Sequence, residues 1–220
     1  MKRLELTVRS LQEQILGGRP KESQLRTFFD CVKDRIGTID ATYHPLGFIH
    51  VNLGNFDGQG LRLHIWASDV ITPVNPLWPI HNHTFDIASY VSTGTISNIT
   101  YQVEDADVSS ASNRFYSVEY INNISRLRAT ERLVRINHAS ESTARRGEIY
   151  RVNRGTFHAS TSKTVFSCTV VCTFNNLEPR PLVLGDVQGA PLYENARREC
   201  ERTVIEPLIL KAANEYADHT

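Results

Sequence analysis

The sequence has no excess of charge of either sign: 24 Lys and Arg stand against 24 Asp and Glu in 220 residues. No global field therefore draws the chain to DNA, RNA or an anionic membrane surface. It has no apolar run near the roughly 20 residues needed to cross a bilayer. Glu5 also interrupts the N-terminus before an apolar signal region can form. A cytoplasmic location is the expectation. Four cysteines are present, Cys31, Cys168, Cys172 and Cys200, and none forms a CxxC, so zinc-ribbon and redox-pair readings lack their residues. GxGxxG, Walker, HExxH and GxSxG patterns are missing as well, which removes the nucleotide-binding, zincin and α/β-hydrolase readings. There is no internal repeat and no low-complexity tract. With 40% hydrophobic and 22% charged residues, the composition is that of an ordinary globular chain of one domain.

What is there changes texture along the chain. Leu4, Leu6, Val8, Leu11, Ile15 and Leu16 recur at approximately helical spacing and end at Gly17-Gly18; Leu25, Phe28, Phe29, Val32 and Ile36 repeat the pattern before Gly37. Residues 1–37 are thus expected to form a helical flap. From Phe48 onward short β-branched and aromatic runs follow one another: Phe48–Leu53, Leu61–Trp66, Phe85–Val91, Thr95–Val103, Arg114–Ile121, Arg132–Asn137, Glu148–Val152 and Thr164–Phe174. Asn55-Phe56-Asp57-Gly58 marks a turn between the first two. Eight such strands without intervening helices predict an antiparallel sandwich or barrel over residues 46–175, such as a double-sheet jelly roll. Glu104–Asn113 reads as a surface loop, and a C-terminal helix over residues 190–217, helical in pattern from Leu192 to Tyr216 and bent at Pro207, is expected.

In the last strand Phe166, Cys168, Val170, Cys172 and Phe174 share one face, and the two sulfurs stand about 13 Å apart along it. No disulfide can join them, so two small apolar core side chains are the reading. Arg145-Arg146 and Arg197-Arg198 have acids nearby and read as solvated surface.

The chemistry concentrates in the histidines. His81 and His83 sit in Pro79-Ile80-His81-Asn82-His83-Thr84-Phe85-Asp86. In an extended segment, residues two apart point to one face about 6.6 Å from each other, so both imidazoles can turn onto a single ion. Further on, Gly147-Glu148-Ile149-Tyr150-Arg151-Val152-Asn153-Arg154-Gly155-Thr156-Phe157-His158 runs a strand into a glycine-containing turn with a histidine directly after it. A neighbouring strand of this kind could deliver a third imidazole to the same point.

These two segments resemble the paired motifs of the cupin superfamily. The fit holds at His81, His83 and Gly94 in the first motif and at Gly147, Gly155 and His158 in the second. Asn75 replaces the opening Gly, Asn153 the Pro, Ser162 the closing Asn, and Ile87 stands where the metal-binding Glu would be. The resemblance spans about Phe48 to Phe174. It implies a mainly β, cupin-type double-stranded β-helix (jelly-roll barrel) with helices at both ends, and one divalent metal ion held by His81, His83 and His158. For the missing carboxylate two solutions stay open. A bulge after His83 would swing Asp86 inward as a fourth ligand; alternatively Asp86 accepts a hydrogen bond from a ligand histidine or a nearby backbone amide. The three-histidine form is similar to that of the thiol dioxygenases such as cysteine dioxygenase.

The resemblance makes iron(II) the expected metal, with zinc, manganese or nickel as alternatives. A dioxygenase acting with O2 on a small polar metabolite bearing a carboxylate or thiol is the expected function. A metal-dependent isomerase or lyase and a non-catalytic ligand-binding barrel are the rival readings. Catalytic candidates are Asp86, His64 and Tyr150. His50 or His64 is a pocket candidate as proton carrier or carboxylate donor, against a purely structural role. Tyr90, Tyr101, Arg62 and Arg151 are further candidates for contacting an anionic substrate, while His44, His138 and His219 receive no role. No nucleic-acid or membrane partner is expected, and a homodimer is.

Overall fold

The computed structural model describes residues 2–73, 78–177 and 180–217; Asn75, Pro179 and His219 lie outside the described residues. Two helices open the chain, α1 (Lys2–Leu16) and α2 (Glu22–Lys33). Strands β1 (Asp40–His44), β2 (Phe48–Phe56) and β3 (Gln59–Ala67) follow, then β4 (Asp86–Thr93), β5 (Thr95–Asp105), β6 (Asn113–Ile121) and β7 (Ile124–Arg145). After them come β8 (Ile149–Val152), β9 (Phe157–Ser162), β10 (Phe166–Phe174), β11 (Leu182–Gly185), β12 (Leu192–Ala196) and the helix α3 (Arg202–Ala217). The first sheet has the order β1-β2-β3-β10-β4-β8 and the second β11-β6-β7-β5-β9, with β12 paired to β7. Every pairing in both is antiparallel. This is a mainly β architecture of two antiparallel sheets with helices at both ends of the chain, as the strand and helix patterning predicts. Among the described residues no helix is long and apolar enough to cross a membrane.

Local chemistry sets the hairpins. Asp57 and Gly58 both have positive φ, 51° and 78°, as a two-residue primed turn between β2 and β3 requires. Asn122 and Asn123, at 48° and 61°, do the same between β6 and β7, because asparagine tolerates the left-handed region. That turn starts β7 at Ile124, so the strand expected over Arg132–Asn137 is part of a 22-residue strand.

The first sheet has two unlike faces. Ile49, Val51 and Leu53 of β2, Leu61, Leu63 and Ile65 of β3, and Cys168, Val170 and Cys172 of β10 lie on one of them. This apolar face packs under Val8, Leu11, Ile15, Leu25, Phe28, Phe29, Ile205 and Ile209 of the three helices. The largest hydrophobic core therefore lies outside the barrel, between sheet and helices, and there the cysteines are the small apolar fillers expected of them. Period-two alternation then directs Phe48, His50 and Asn52, and Arg62, His64 and Trp66, into the barrel.

Two arginines tie the helices down. Arg151 donates through Nη2 to the carbonyls of Leu16 (2.7 Å) and Ile15 (3.3 Å) at the end of α1. Arg146 donates to those of Tyr216 (2.8 Å) and Glu215 (3.4 Å) at the end of α3. The last carbonyls of a helix lack intrahelical partners and carry its negative dipole end, so a cation there is stabilising. Arg151 is thus a helix cap rather than a substrate contact, and Arg146 is not free surface.

The C-terminal expectation needs correction. Residues 192–196 form a strand, registered from Leu192↔Arg128 to Ala196↔Ile124, and the helix begins at Arg202. Tyr193 packs edge-on to Trp78 at 4.8 Å, a tertiary contact that helical periodicity does not reveal. Strands accordingly extend from Asp40 to Ala196, beyond the expected 46–175. Leu63→Ala should destabilise the protein by about 2–5 kcal/mol, since Leu63 is fully buried between sheet and helices. Arg146→Ala should cost about 1–2 kcal/mol. Urea unfolding followed by circular dichroism checks both, and Arg132→Ala, at an exposed ion pair, is the control expected within about 0.5 kcal/mol of wild type.

Candidate metal centre

Residues 80–82 run as an extended segment between the two edge strands of the second sheet. His81 forms an antiparallel bridge with His158 of β9 and another with Val183 of β11. The His81 amide donates to the His158 carbonyl (3.1 Å), and the His158 amide to the His81 carbonyl (2.8 Å). Asn82 is held on both sides: its amide donates to the Leu182 carbonyl (3.0 Å), and its Oδ1 accepts from the Leu182 amide (2.7 Å). The His83 carbonyl accepts from Gly155 (2.9 Å), whose φ of 75° belongs to the tight turn before β9. Backbone hydrogen bonds therefore align two histidine segments from distant parts of the sequence.

Their three rings converge. Centroids of His81 and His83 are 4.7 Å apart, those of His81 and His158 4.7 Å, and those of His83 and His158 5.1 Å. One ring nitrogen from each lies within 4.8 Å of the other two. The Nδ1 of His81 faces the Pro79 carbonyl at 2.8 Å, so that nitrogen carries the proton and Nε2 keeps its lone pair. The Nδ1 of His158 meets Asn98 Oδ1 at 2.9 Å, an oxygen that also accepts from Ser160 Oγ at 2.8 Å. The same tautomer follows, and the Nε2 of His158 is buried with no hydrogen-bond partner among the described residues. Such an orphaned acceptor is costly unless something completes it.

Burial, above all, holds all three imidazoles below their ordinary value. His81 adds to the effect at His158 and, with His158, at His83, while the Pro79 carbonyl partly opposes it at His81. They are neutral at pH 7, the form that binds metals. Three uncharged nitrogen donors, two with their outer nitrogens held by oxygens and one buried lone pair unpartnered, fit a divalent transition metal.

Asp86 is not part of this group. Its Oδ1 accepts from the Arg154 amide (2.7 Å) and its Oδ2 from Asn175 Nδ2 (2.8 Å). Burial raises its carboxyl, but the Arg154 amide and then the Asn175 side chain outweigh that and hold it below the carboxylate range. No bulge turns it inward, so of the two solutions it takes the second: a carboxylate on a backbone amide, fixing the turn that leads into His158. Both its carboxylate oxygens are engaged in these bonds, away from the three converging rings.

The three rings open into a cavity of about 900 Å³ inside the barrel. His64 and Tyr150 line it, as do His50 and Arg62. Tyr90 points the other way, into the core beneath the helices, and Tyr101 does not reach the cavity wall. His44, given no role above, does line it, its ring stacked on Phe48 at 4.1 Å. Arg197 also faces the cavity rather than open surface. Asn98 is the residue that sequence reasoning missed; an asparagine inside the apolar run Ile96-Ser97-Asn98-Ile99 is unusual for a strand and was the available signal.

No known protein family matches the chain, and no curated protein matches it. Solved structures do. FeII HppE is similar at 13% identity, with a TM-score of 0.33 over 58% of this chain and 50% of that one. Hydroxypropylphosphonic acid epoxidase from S. wedmorenis is similar at 12% identity, with a TM-score of 0.32 over 59% of this chain and 50% of that one. The alignments thus take in about half the length of these proteins. At this distance the functional reading rests on the chain's own residues.

The remaining cavity imidazoles generate a pH prediction. Burial pushes His44 and His64 well below their ordinary value and His50 down to about 3, with the positive charge of Arg62 contributing at each. Folding therefore excludes protons that the unfolded chain binds below about pH 6.5. Stability should be fully present above that pH and fall as pH drops below it, by up to about 1.4 kcal/mol per pH unit for each histidine. Urea unfolding at pH 7.5 and 5.5 measures this, and His64→Gln should flatten the slope.

Proposed function

We propose that the protein is a mononuclear non-haem iron(II) dioxygenase acting on a small polar metabolite that bears a carboxylate or thiol. The observation that carries this reading is the convergence of three neutral imidazoles, those of His81 and His158 with preset tautomers, on one point of the cavity, with the His158 Nε2 buried and unpartnered among the described residues. His81, His83 and His158 would hold the ion. A bound ferrous ion would supply the redox chemistry for activating O2 and, with no ligand carboxylate to neutralise it, a positive charge favouring an anionic substrate.

The chain's own residues do the positioning. Asn98 fixes the His158 ring through Nδ1, and the Pro79 carbonyl does the same for His81. Asp86 holds the turn through the Arg154 amide. The buried Tyr150 phenol, its pKa raised by desolvation before any other cause, stays protonated at neutral pH and can donate a hydrogen bond into the cavity. His64, on β3 of the same sheet and held neutral by burial, lines the cavity and can hydrogen-bond a substrate there. The cavity walls would hold bound reactants in proximity. Substrate and O2 are the partners in this reading, and light scattering reports whether two copies pair.

Protein purified without chelating resin should carry about one first-row divalent ion per chain, and His83→Ala should abolish it. Asn98→Ala should keep the fold but weaken metal affinity about 10–100-fold. Elemental analysis and competition with a chelator measure both. Oxygen uptake by the iron-loaded protein supports the dioxygenase reading. A zinc-loaded protein indifferent to O2 replaces it with a metal-dependent isomerase or lyase. Metal-free protein whose melting temperature ignores EDTA replaces it with a ligand-binding barrel.

A further inference from the structure

The charges around the cavity do not balance. Among the described residues Glu119 is the one carboxylate on its wall, and Arg180 pairs with it. Arg62 and Arg197 face the same space. Arg197 donates through Nε to Ser125 Oγ at 3.0 Å and lies over the Tyr120 ring at 4.1 Å. Arg62 has neither an ion pair nor a hydrogen bond among the described residues; its Cζ lies 5.1 Å from the centroid of the Phe85 ring. A guanidinium stays charged at physiological pH and offers five donors in a fixed plane. Holding one half-buried without acceptors works against folding, and a group kept at such a cost points to something that completes it.

Its position says where that partner lies. Arg62 projects from the inner face of β3, two residues from His64, which also lines the cavity. Phe85, beneath the guanidinium, stacks on the His83 ring at 4.8 Å and 21°. Arg62 therefore stands one aromatic ring away from the three converging imidazoles. Phe48, Trp66, Phe85 and Ile87 supply aromatic and apolar wall. A volume of about 900 Å³ is near the upper end of the usual range for small-molecule sites.

We propose that the cavity takes an elongated organic oxyanion: its acidic group docks on the Arg62 guanidinium, its apolar body lies along Phe48 and Phe85, and its far end reaches His81, His83 and His158. The last clause rests on the metal reading above; the arginine subsite does not. A carboxylate and a phosphate share the chemistry, since either presents two oxygens to the guanidinium fork. The Phe85 ring, 5.1 Å from the Arg62 Cζ, adds a cation–π contact that supports the guanidinium at the cavity wall.

The test uses the full chain and four ligands: phenylbutyrate, phenyl phosphate, and the neutral phenylbutanamide and benzyl alcohol. Calorimetric titration and thermal melting should register at least one of the acids and neither neutral compound. The acid with the larger response identifies the preferred headgroup. Arg62→Met should weaken acid binding at least tenfold, while Arg62→Lys, which keeps the charge and loses the fork, should fall between. Without ligand, Arg62→Met should melt at or above wild type, by up to about 2–4 °C. A response to neither acid, an equal response to the amide, or unchanged binding by Arg62→Met overturns the proposal. Metal content measured on the same samples separates the two readings. Protein that binds the acids through Arg62 yet never holds metal keeps this subsite and removes the metal centre, while metal-loaded protein indifferent to the acids does the reverse.

Discussion

The pair of backbone hydrogen bonds between His81 and His158 is the constraint on which the candidate site depends. Each residue donates its amide to the other's carbonyl, so two segments far apart in the chain are locked in register at the residues whose side chains must meet. In an antiparallel pair, directly opposed residues point to the same face, with side chains close together. His83 joins because its own carbonyl is held by Gly155, in the turn that Asp86 clamps from the other side. A slip of one residue in this pairing would turn His158 out of the cavity. Main-chain geometry brings the three histidines together, and the Pro79 carbonyl and the Asn98 side chain then set the tautomers of His81 and His158.

That arrangement is affordable because the barrel interior is not where the fold obtains most of its hydrophobic stabilisation. The three helices cover the outer face of the first sheet, and the fully buried leucines, isoleucines and phenylalanines gather there. The inner face is thereby released to carry histidines, arginine and tyrosine around open space. Arg146 and Arg151 join the two regions by capping helix ends from β8 and its approach. Large polar side chains inside a barrel would otherwise conflict with burial.

Much of this was legible in residues two apart. The alternation in Leu61-Arg62-Leu63-His64-Ile65-Trp66 announces a strand with one apolar and one mixed face, and the Asp57-Gly58 turn was visible beside it. Which face looks inward was not legible, because apolar residues are satisfied equally by a barrel core or by overlying helices. His44 and Arg197 were undervalued for that reason. The strand at 192–196 was missed because five residues offer too little periodicity to outweigh the helical pattern after them, and its partner lies in another part of the chain. Asp86 was ambiguous because parity holds for an unbroken strand, whereas the segment before β4 is irregular.

The sequence by itself determined the ingredients: a β-rich chain without net charge, paired histidine segments with glycine-containing turns, and amphipathic helices at the ends. These are local properties, written in spacing and residue type. Tertiary structure alone decided that the three imidazoles meet, that Asp86 holds a backbone amide instead of joining them, and that Arg62 faces the cavity with no carboxylate partner among the described residues. Each of these is a distance between residues remote in sequence, set by strand register and sheet packing, and no local pattern encodes it.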